Sequence, residues 1–330
     1  MLSAVILSGD YLRAAALADQ ILDLAHREGS NTSLGFAHVA QIAARYYRGD
    51  LVGVEEHFAR FNEYLEAPGL NRFPGATEIA LGYATLSAWM SGHADSARQR
   101  IDFAISVALN SKNPYKLAHA RHFEGILYLE LKDLQRAEAA AAQAMTLSAQ
   151  HDFLYIRDEA RVVLGRARAQ LGHADEAVSL IHQGLSDRIK NGSRADITFF
   201  LMFLAEAQVL HGDIDEALMT IARALEANPE EFIYRPLLLN CRGELRRQLE
   251  QSDLAEDDFQ AAVSLAKKMS AKAVELRAAT SLVRLLQSRG AYAAARDLLA
   301  PLSGWFTEGF DTADLKDAKA LLEELSNSPR

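Results

Sequence analysis

Residues 201–229 read LMFLAEAQVLHGDIDEALMTIARALEANP. Past Gly212 the apolar side chains Ile214, Ala217, Leu218, Ile221, Ala222 and Leu225 fall at i, i+3, i+4, i+7, i+8 and i+11. That is the buried stripe of an amphipathic helix. A second apolar-periodic run, around Leu201, Leu204 and Ala205, precedes Gly212-Asp213. Glycine ends one helix and aspartate caps the next, and Pro229 closes the second. The segment predicts a helix, a tight turn and another helix.

The same unit recurs in both directions. Gly9, Gly49, Gly92, Lys132, Gly172, Gly212, Ser252 and Gly290 hold the equivalent turn position, at spacings of 40, 43, 40, 40, 40, 40 and 38 residues. A fixed period of this size marks a repeat architecture. Five positions past the turn lie Ala14, Ala97, Ala137, Ala177, Ala217 and Ala295, and twelve past it lie Ala104, Ala144, Gly184 and Ala224. Seven before it stand Gly125, Gly165 and Ala205. Small side chains at fixed places let the two helices of a hairpin approach closely. Around Gly49 and Ser252 they give way to Val54, Phe61 and Asp257, so spacing alone defines those units. No strand-type alternation appears, and the expected unit is helix, tight turn, helix, then a looser connection.

Leu201, Leu204-Ala205, Gly212-Asp213, Ala217, Ala224 and Pro229 resemble a tetratricopeptide repeat (TPR), and Leu164-Gly165, Gly172, Ala177 and Gly184 repeat the pattern. The resemblance covers nearly the whole chain. A period near 40 exceeds the roughly 34 residues of the standard repeat, which implies longer helices, as in the superhelical sensor regions of bacterial signal-transduction ATPases. The run Gly304-Trp305-Phe306-Thr307-Glu308-Gly309-Phe310-Asp311-Thr312-Ala313-Asp314-Leu315 resembles the end of large bacterial regulators in which a winged-helix or nucleotide-cyclase domain and a P-loop ATPase precede a repeat region. The implied architecture is an all-α, right-handed α-solenoid of about seven to eight TPR-like hairpins over residues 1–303. An aromatic loop and capping helix follow over 304–330, the helix near Thr312 to Leu325. Few residues precede Gly9, so the array is expected to begin inside a repeat, cut from a longer polypeptide or with an abbreviated first hairpin.

The 330 residues exceed what one compact core usually supports, which suits an elongated array. A formal net charge of −9, with acidic and basic residues mixed throughout, offers no basic face for nucleic acid. The single cysteine, Cys241, excludes an intramolecular disulfide and fits a reducing, cytoplasmic setting. No apolar run approaches the ~20 residues a bilayer needs, so neither a membrane span nor a signal peptide is expected.

Catalytic motifs are missing. There is no Gly-Lys pair for a phosphate loop, no His-Glu-x-x-His, no Gly-x-Ser-x-Gly and no paired-cysteine spacing. His119 and His122 share a helix face, but two imidazoles supply only half a tetrahedral metal site. Cys241, beside Leu237, Leu238 and Leu239, reads as a buried inert thiol. Glu256, Asp257 and Asp258 read as a solvated face. Neither an enzyme nor a cofactor is expected.

In such a superhelix the first helix of each hairpin lines the concave surface, and residues six, ten and thirteen before the turn are its groove positions. The first half of the chain places Phe36, Val39, Ile79, Leu86, His119 and His122 there; the second places Arg166, Glu206, Arg242, Arg246, Arg277 and Arg284, with Phe199 and Met202 between. Clustered arginines favour carboxylates. The expected site is therefore Phe199, Met202, Arg166, Arg242, Arg246, Arg277 and Arg284, and the expected partner a protein or peptide with an apolar part and an acidic segment. Function is expected to be recognition, as the sensor or scaffold portion of a bacterial signalling protein. The alternative is an oligomerisation or regulatory tail of an ATPase or cyclase encoded upstream. A peptide-pheromone receptor ranks lower, because those usually carry a helix-turn-helix and no region outside the repeats is long enough to supply one.

Overall fold

A computed structural model describes residues 2–70 and 75–327. Among the described residues there are seventeen α-helices and no strand. Helices pair in order: α1 (Leu2–Leu7) with α2 (Tyr11–Glu28), α3 (Asn31–Tyr47) with α4 (Leu51–Glu63), α5 (Ala76–Met90) with α6 (Ala94–Ser111), and α7 (Pro114–Glu130) with α8 (Leu134–Gln150). Then come α9 (Leu154–Gln170) with α10 (Ala174–Lys190), α11 (Ile197–His211) with α12 (Ile214–Ala227), α13 (Arg235–Gln248) with α14 (Ser252–Lys268), and α15 (Lys272–Ser288) with α16 (Tyr292–Ser303). The last helix, α17 (Ala313–Ser326), packs on α15 and α16 and buries Leu315, Ala318, Leu321 and Leu325. This is an α-solenoid of one short and seven full hairpins.

Each hairpin turns on a residue of positive φ, namely Gly9, Gly49, Gly92, Lys132, Gly172, Gly212, Glu250 and Gly290. Asp10, Asp50 and Asp133 follow three of them and accept backbone N–H bonds from Arg13, Gly53 and Arg136, which caps the next helix. The seventh turn corrects the sequence reading. It lies at Glu250 (φ 60), while Ser252 already begins α14. With the register moved by two residues the small-residue pattern returns: Ala255 and Ala262 are fully buried at five and twelve past the turn, and Gly243 stands seven before it. The connections between hairpins also differ from expectation. Several are as tight as the turns, with Gly29, Lys112, Asp152 and Ser270 at positive φ, while longer links occur at 191–196, 228–234 and 304–312.

Ala14, Ala97, Ala137, Ala177, Ala217 and Ala295 are all fully buried, as close helix packing demands. Gly184 shows how close. A Cβ there would meet the Asp158 carbonyl oxygen of α9 at 2.8 Å.

Successive windings of the superhelix also touch, far apart in sequence. The Arg194 N–H donates to the Leu7 carbonyl at 2.6 Å, and the Leu12 N–H to Glu230 at 3.1 Å. The turn at Gly49 abuts Met269, and that at Gly92 abuts Trp305 and Phe306. Glu308 accepts the N–H groups of Asp95 and Ser96, each at 3.1 Å, and so caps α6 from 213 and 212 residues away. Helix α5 packs on α15. One continuous apolar cluster consequently runs from Tyr11 to Val274, with a second around α15–α17.

Candidate functional site

The first helices of successive hairpins, from α3 to α15, pack side by side, and α15 meets α5 again, so they form the inner face. Where the windings meet, this inner face is closed and holds a polar chamber. Asp196, at the head of α11, accepts hydrogen bonds from the hydroxyls of Tyr47 (2.9 Å) and Tyr234 (2.8 Å). Tyr47 and Tyr83 share a hydrogen bond of 2.6 Å. Glu231 accepts the Tyr11 hydroxyl at 3.0 Å, the Asp196 N–H at 2.9 Å and the Thr198 hydroxyl at 2.6 Å. Arg188, 1% exposed, donates to Glu159 (2.5 Å), to Ser193 Oγ (3.1 Å) and to the Ala195 carbonyl (2.5 Å). His122 Nε2 lies 3.2 Å from Glu159. Phe199 stacks on Tyr234 with ring centroids 4.2 Å apart. The cavity between Tyr83, His119, His122, Tyr155, Asp196 and Phe199 is about 20 Å³, water-sized at most.

Burial governs the protonation of this chamber. It raises the Glu231 carboxyl to about 8, helped by neighbouring Asp196. It raises Asp196 to about 6, helped by Glu159 and opposed by Arg188 and the tyrosine hydroxyls. Burial lowers His119 and His122 to about 3, with His122 acting on the first and Arg188 on the second. Both imidazoles are therefore neutral at physiological pH, and the Nδ1 atom of each lacks a hydrogen-bond partner. Among the described residues no group of three or more His, Cys, Asp or Glu is placed to hold a metal ion, and no helix is long and apolar enough to cross a membrane.

Beyond the chamber the inner face opens. A cleft of about 320 Å³ lies between α9, α11, α13 and α15. Met202, Val209, Leu237 and Leu245 give it an apolar floor, and Gln170, Glu206, Asn240, Glu244, Gln248 and Arg277 a polar rim. Asn240 Oδ1 is buried without a hydrogen-bond partner. An alternating string of charges runs along one wall. Arg166 bonds Glu206 (2.6 Å) and Glu130; Arg277 bonds Glu130 (2.7 Å) and Asp314 (2.8 Å); Lys132 bonds Asp314 (2.6 Å). Burial alone would raise Glu130, but the two guanidinium groups hold it below the ordinary carboxylate value.

Comparison with solved structures places this architecture. A Rap protein complexed with Competence and Sporulation Factor superposes with a TM-score of 0.62 at 15% identity, over 99% of this chain and 94% of that one. The APC/C hetero-tetramer Cut9-Hcn1 gives 0.56 at 17%, over 88% and 55%. The apo form of the quorum sensor NprR from B. thuringiensis gives 0.51 at 12%, over 88% and 79%. The likeness is one of fold. The chain has a TPR-like repeat fold. No protein-family model and no curated protein matches it.

The residues expected at the groove divide into three groups. Met202 and Arg277 line the open cleft, and Phe199 lines the closed chamber. Arg166 points inward but is 5% exposed, held by Glu130 and Glu206 over the Phe203 ring. Arg242 and Arg246 turn away from the axis and both hold Asp258 of α14, at 2.6 and 2.8 Å, and Arg284 holds Asp317 of α17. The fold therefore does not gather free guanidinium groups on one ligand. For α13 the cause is the turn at Glu250: counted from there, the positions thirteen, ten and six before it are Leu237, Asn240 and Glu244, all of which line the cleft.

The chamber residues Tyr11, Tyr47, Asp196, Glu231 and Tyr234 escape a reading by repeat position. Tyr47 and Tyr11 find their carboxylates in another winding, 149 and 220 residues away. The available signal was the presence of Tyr47, Tyr83 and Tyr234 in or beside otherwise apolar inner helices, since a buried tyrosine usually needs a partner for its hydroxyl.

Proposed function

We propose that this chain is a non-catalytic binding module that takes a protein or peptide segment into the cleft between α9, α11, α13 and α15, as the sensor or scaffold portion of a bacterial signalling protein. The observation that carries this reading is the cleft itself. It combines apolar floor, unpaired amide acceptor and carboxylate rim at the inner positions of consecutive hairpins, the combination that orients a bound segment. The full-length likeness to a Rap protein in complex with Competence and Sporulation Factor supports it.

The charges favour a different segment from the acidic one expected. Arg277 is held by two carboxylates, Glu130 and Asp314, whereas Glu206 and Glu244 each meet one guanidinium, of Arg166 and Arg247, and keep acceptor lone pairs for a further donor. A segment with an apolar side chain for the floor and amide or basic donors for Glu244 and Asn240 is the better complement. Peptides selected from a displayed library on the intact chain should lose at least tenfold in affinity when Glu244→Arg and the exposed Leu210→Asp are combined, with an unchanged melting temperature. Selected peptides that bind this variant as tightly as the parent would remove the cleft from consideration.

A further inference from the structure

A second surface lies on the outside of the superhelix. Between α10 and α12 runs a groove of about 630 Å³, with Leu185, Ile189, Ile197, Leu201 and Leu204 on its apolar floor. Its origin is the connection at 191–196, longer than the three-residue link 151–153 before α9. Arg188 grips Ser193 Oγ and the Ala195 carbonyl, and the Arg194 N–H is bonded to Leu7. These bonds fix the wider gap between α10 and the next hairpin, so the groove is preformed.

Two further features say what fits. Thr220 is 1% exposed and lines the groove, yet its hydroxyl has no hydrogen-bond partner. The rim carries Lys190 and Arg223 against Glu216. Lys190 meets Asp187 only at 3.9 Å, and Arg223 has no carboxylate partner among the described residues. In a chain of net charge −9, whose arginines are mostly held by its own carboxylates, an apolar trough with two available cations is distinctive. The geometry points to a docking site for an amphipathic helix of a partner protein, its apolar face on Ile189, Ile197 and Leu201 and its carboxylates toward Lys190 and Arg223. The groove-lining residues of α12 run from Glu216 to Ala227, a trough about 16 Å long at ~1.5 Å per residue, three turns of a bound helix. A second copy of this chain is the competing occupant, and sedimentation of the parent protein tests for it.

The test is a displayed library of helical 16-residue peptides selected on the intact chain. Enriched sequences should carry apolar residues at i, i+3 or i+4 and i+7, flanked by Asp or Glu. Their affinity should fall at least tenfold on Ile189→Asp, a change at a residue 56% exposed, and at least tenfold on Lys190→Glu combined with Arg223→Glu. Binding should be unaffected by Leu210→Asp with Glu244→Arg in the inner cleft, which separates this site from the proposed one. Enriched peptides insensitive to Ile189→Asp, or a parent protein that sediments as a dimer and becomes monomeric on Ile189→Asp, would overturn the proposal.

Discussion

Glu130 at the end of α7 and Arg277 of α15 are 147 residues apart in sequence and bonded at 2.7 Å, with a second bond at 2.9 Å from the same guanidinium to the Glu130 carbonyl. Arg166 from the neighbouring hairpin completes the pairing of this fully buried carboxylate. One residue thus joins adjacent repeats and successive windings. A solenoid is ordinarily stabilised by nearest-neighbour contacts; this one is closed upon itself.

Removing Arg277 should therefore cost more than a surface pair would. Arg166 still holds Glu130 and Lys132 still holds Asp314 when Arg277 is removed, so the loss should be that of the charged hydrogen bonds themselves, about 1.5–3 kcal/mol each, whereas exposed pairs contribute about 0–1. Arg277→Ala should lower the urea midpoint markedly, and adding Glu130→Gln should not restore it, because that change also removes the surviving pair with Arg166. Equal stability of parent and Arg277→Ala would show that the windings are not coupled through this residue.

The chamber makes a pH prediction. Glu231 sits near 8 in the folded chain against an ordinary 4.5, so the folded state keeps a proton that the unfolded state has released. Stability from this group is complete below about 4.5 and is lost as pH rises through 8. His119 and His122, lowered from 6.5 to about 3, act oppositely: the stability they contribute is present above 6.5 and lost as pH falls. The trends compete between 4.5 and 6.5, and above 6.5 the carboxyl acts alone. Urea midpoints should fall from pH 6.5 to 8.5 in the parent and fall less in Glu231→Gln. A parent with identical midpoints would mean that Glu231 is ionised throughout.

Repeat period and hairpin pairing were legible because they are local: a turn residue, a cap and an apolar stripe all lie within one 40-residue unit. The winding contacts were not. Tyr47 finds Asp196 across 149 residues and Glu308 caps α6 across 213, and neither pairing leaves a mark within its own repeat. At the cleft, Met202 and Arg277 lie at the expected groove positions, while Asn240 and Glu244 come into register only when the turn is counted from Glu250.

The segment after Ser303 offers a third test. Glu308 supplies the α6 cap that His93 does not, and Phe306 and Trp305 pack on Gly92. Loss of a helix cap costs about 0.5–2 kcal/mol, so Glu308→Ala should lower the melting temperature by a few degrees. Truncation after Ser303 also uncovers the α15–α16 face that Leu315, Leu321 and Leu325 bury, and it should aggregate. A soluble truncation with the parent's melting temperature would show that α17 contributes nothing to closure.

The last prediction concerns Arg242 and Arg246. At groove positions they would be dispensable for folding and needed for a ligand; the Glu250 turn instead points both at Asp258, 3% exposed. Either arginine alone leaves the carboxylate one partner, so Arg242→Ala should cost about 1.5–3 kcal/mol, the range of a charged hydrogen bond. Removing both strands a buried charge, and the double variant should lose about 3 kcal/mol or more. Asp258→Asn in that background should restore much of the loss, because it removes the charge that has no partner. Peptide affinity for the cleft, measured on the rescued triple variant, should match the parent. A double variant with unchanged stability and weakened peptide binding would return these arginines to the groove and place the turn nearer Ser252 in solution.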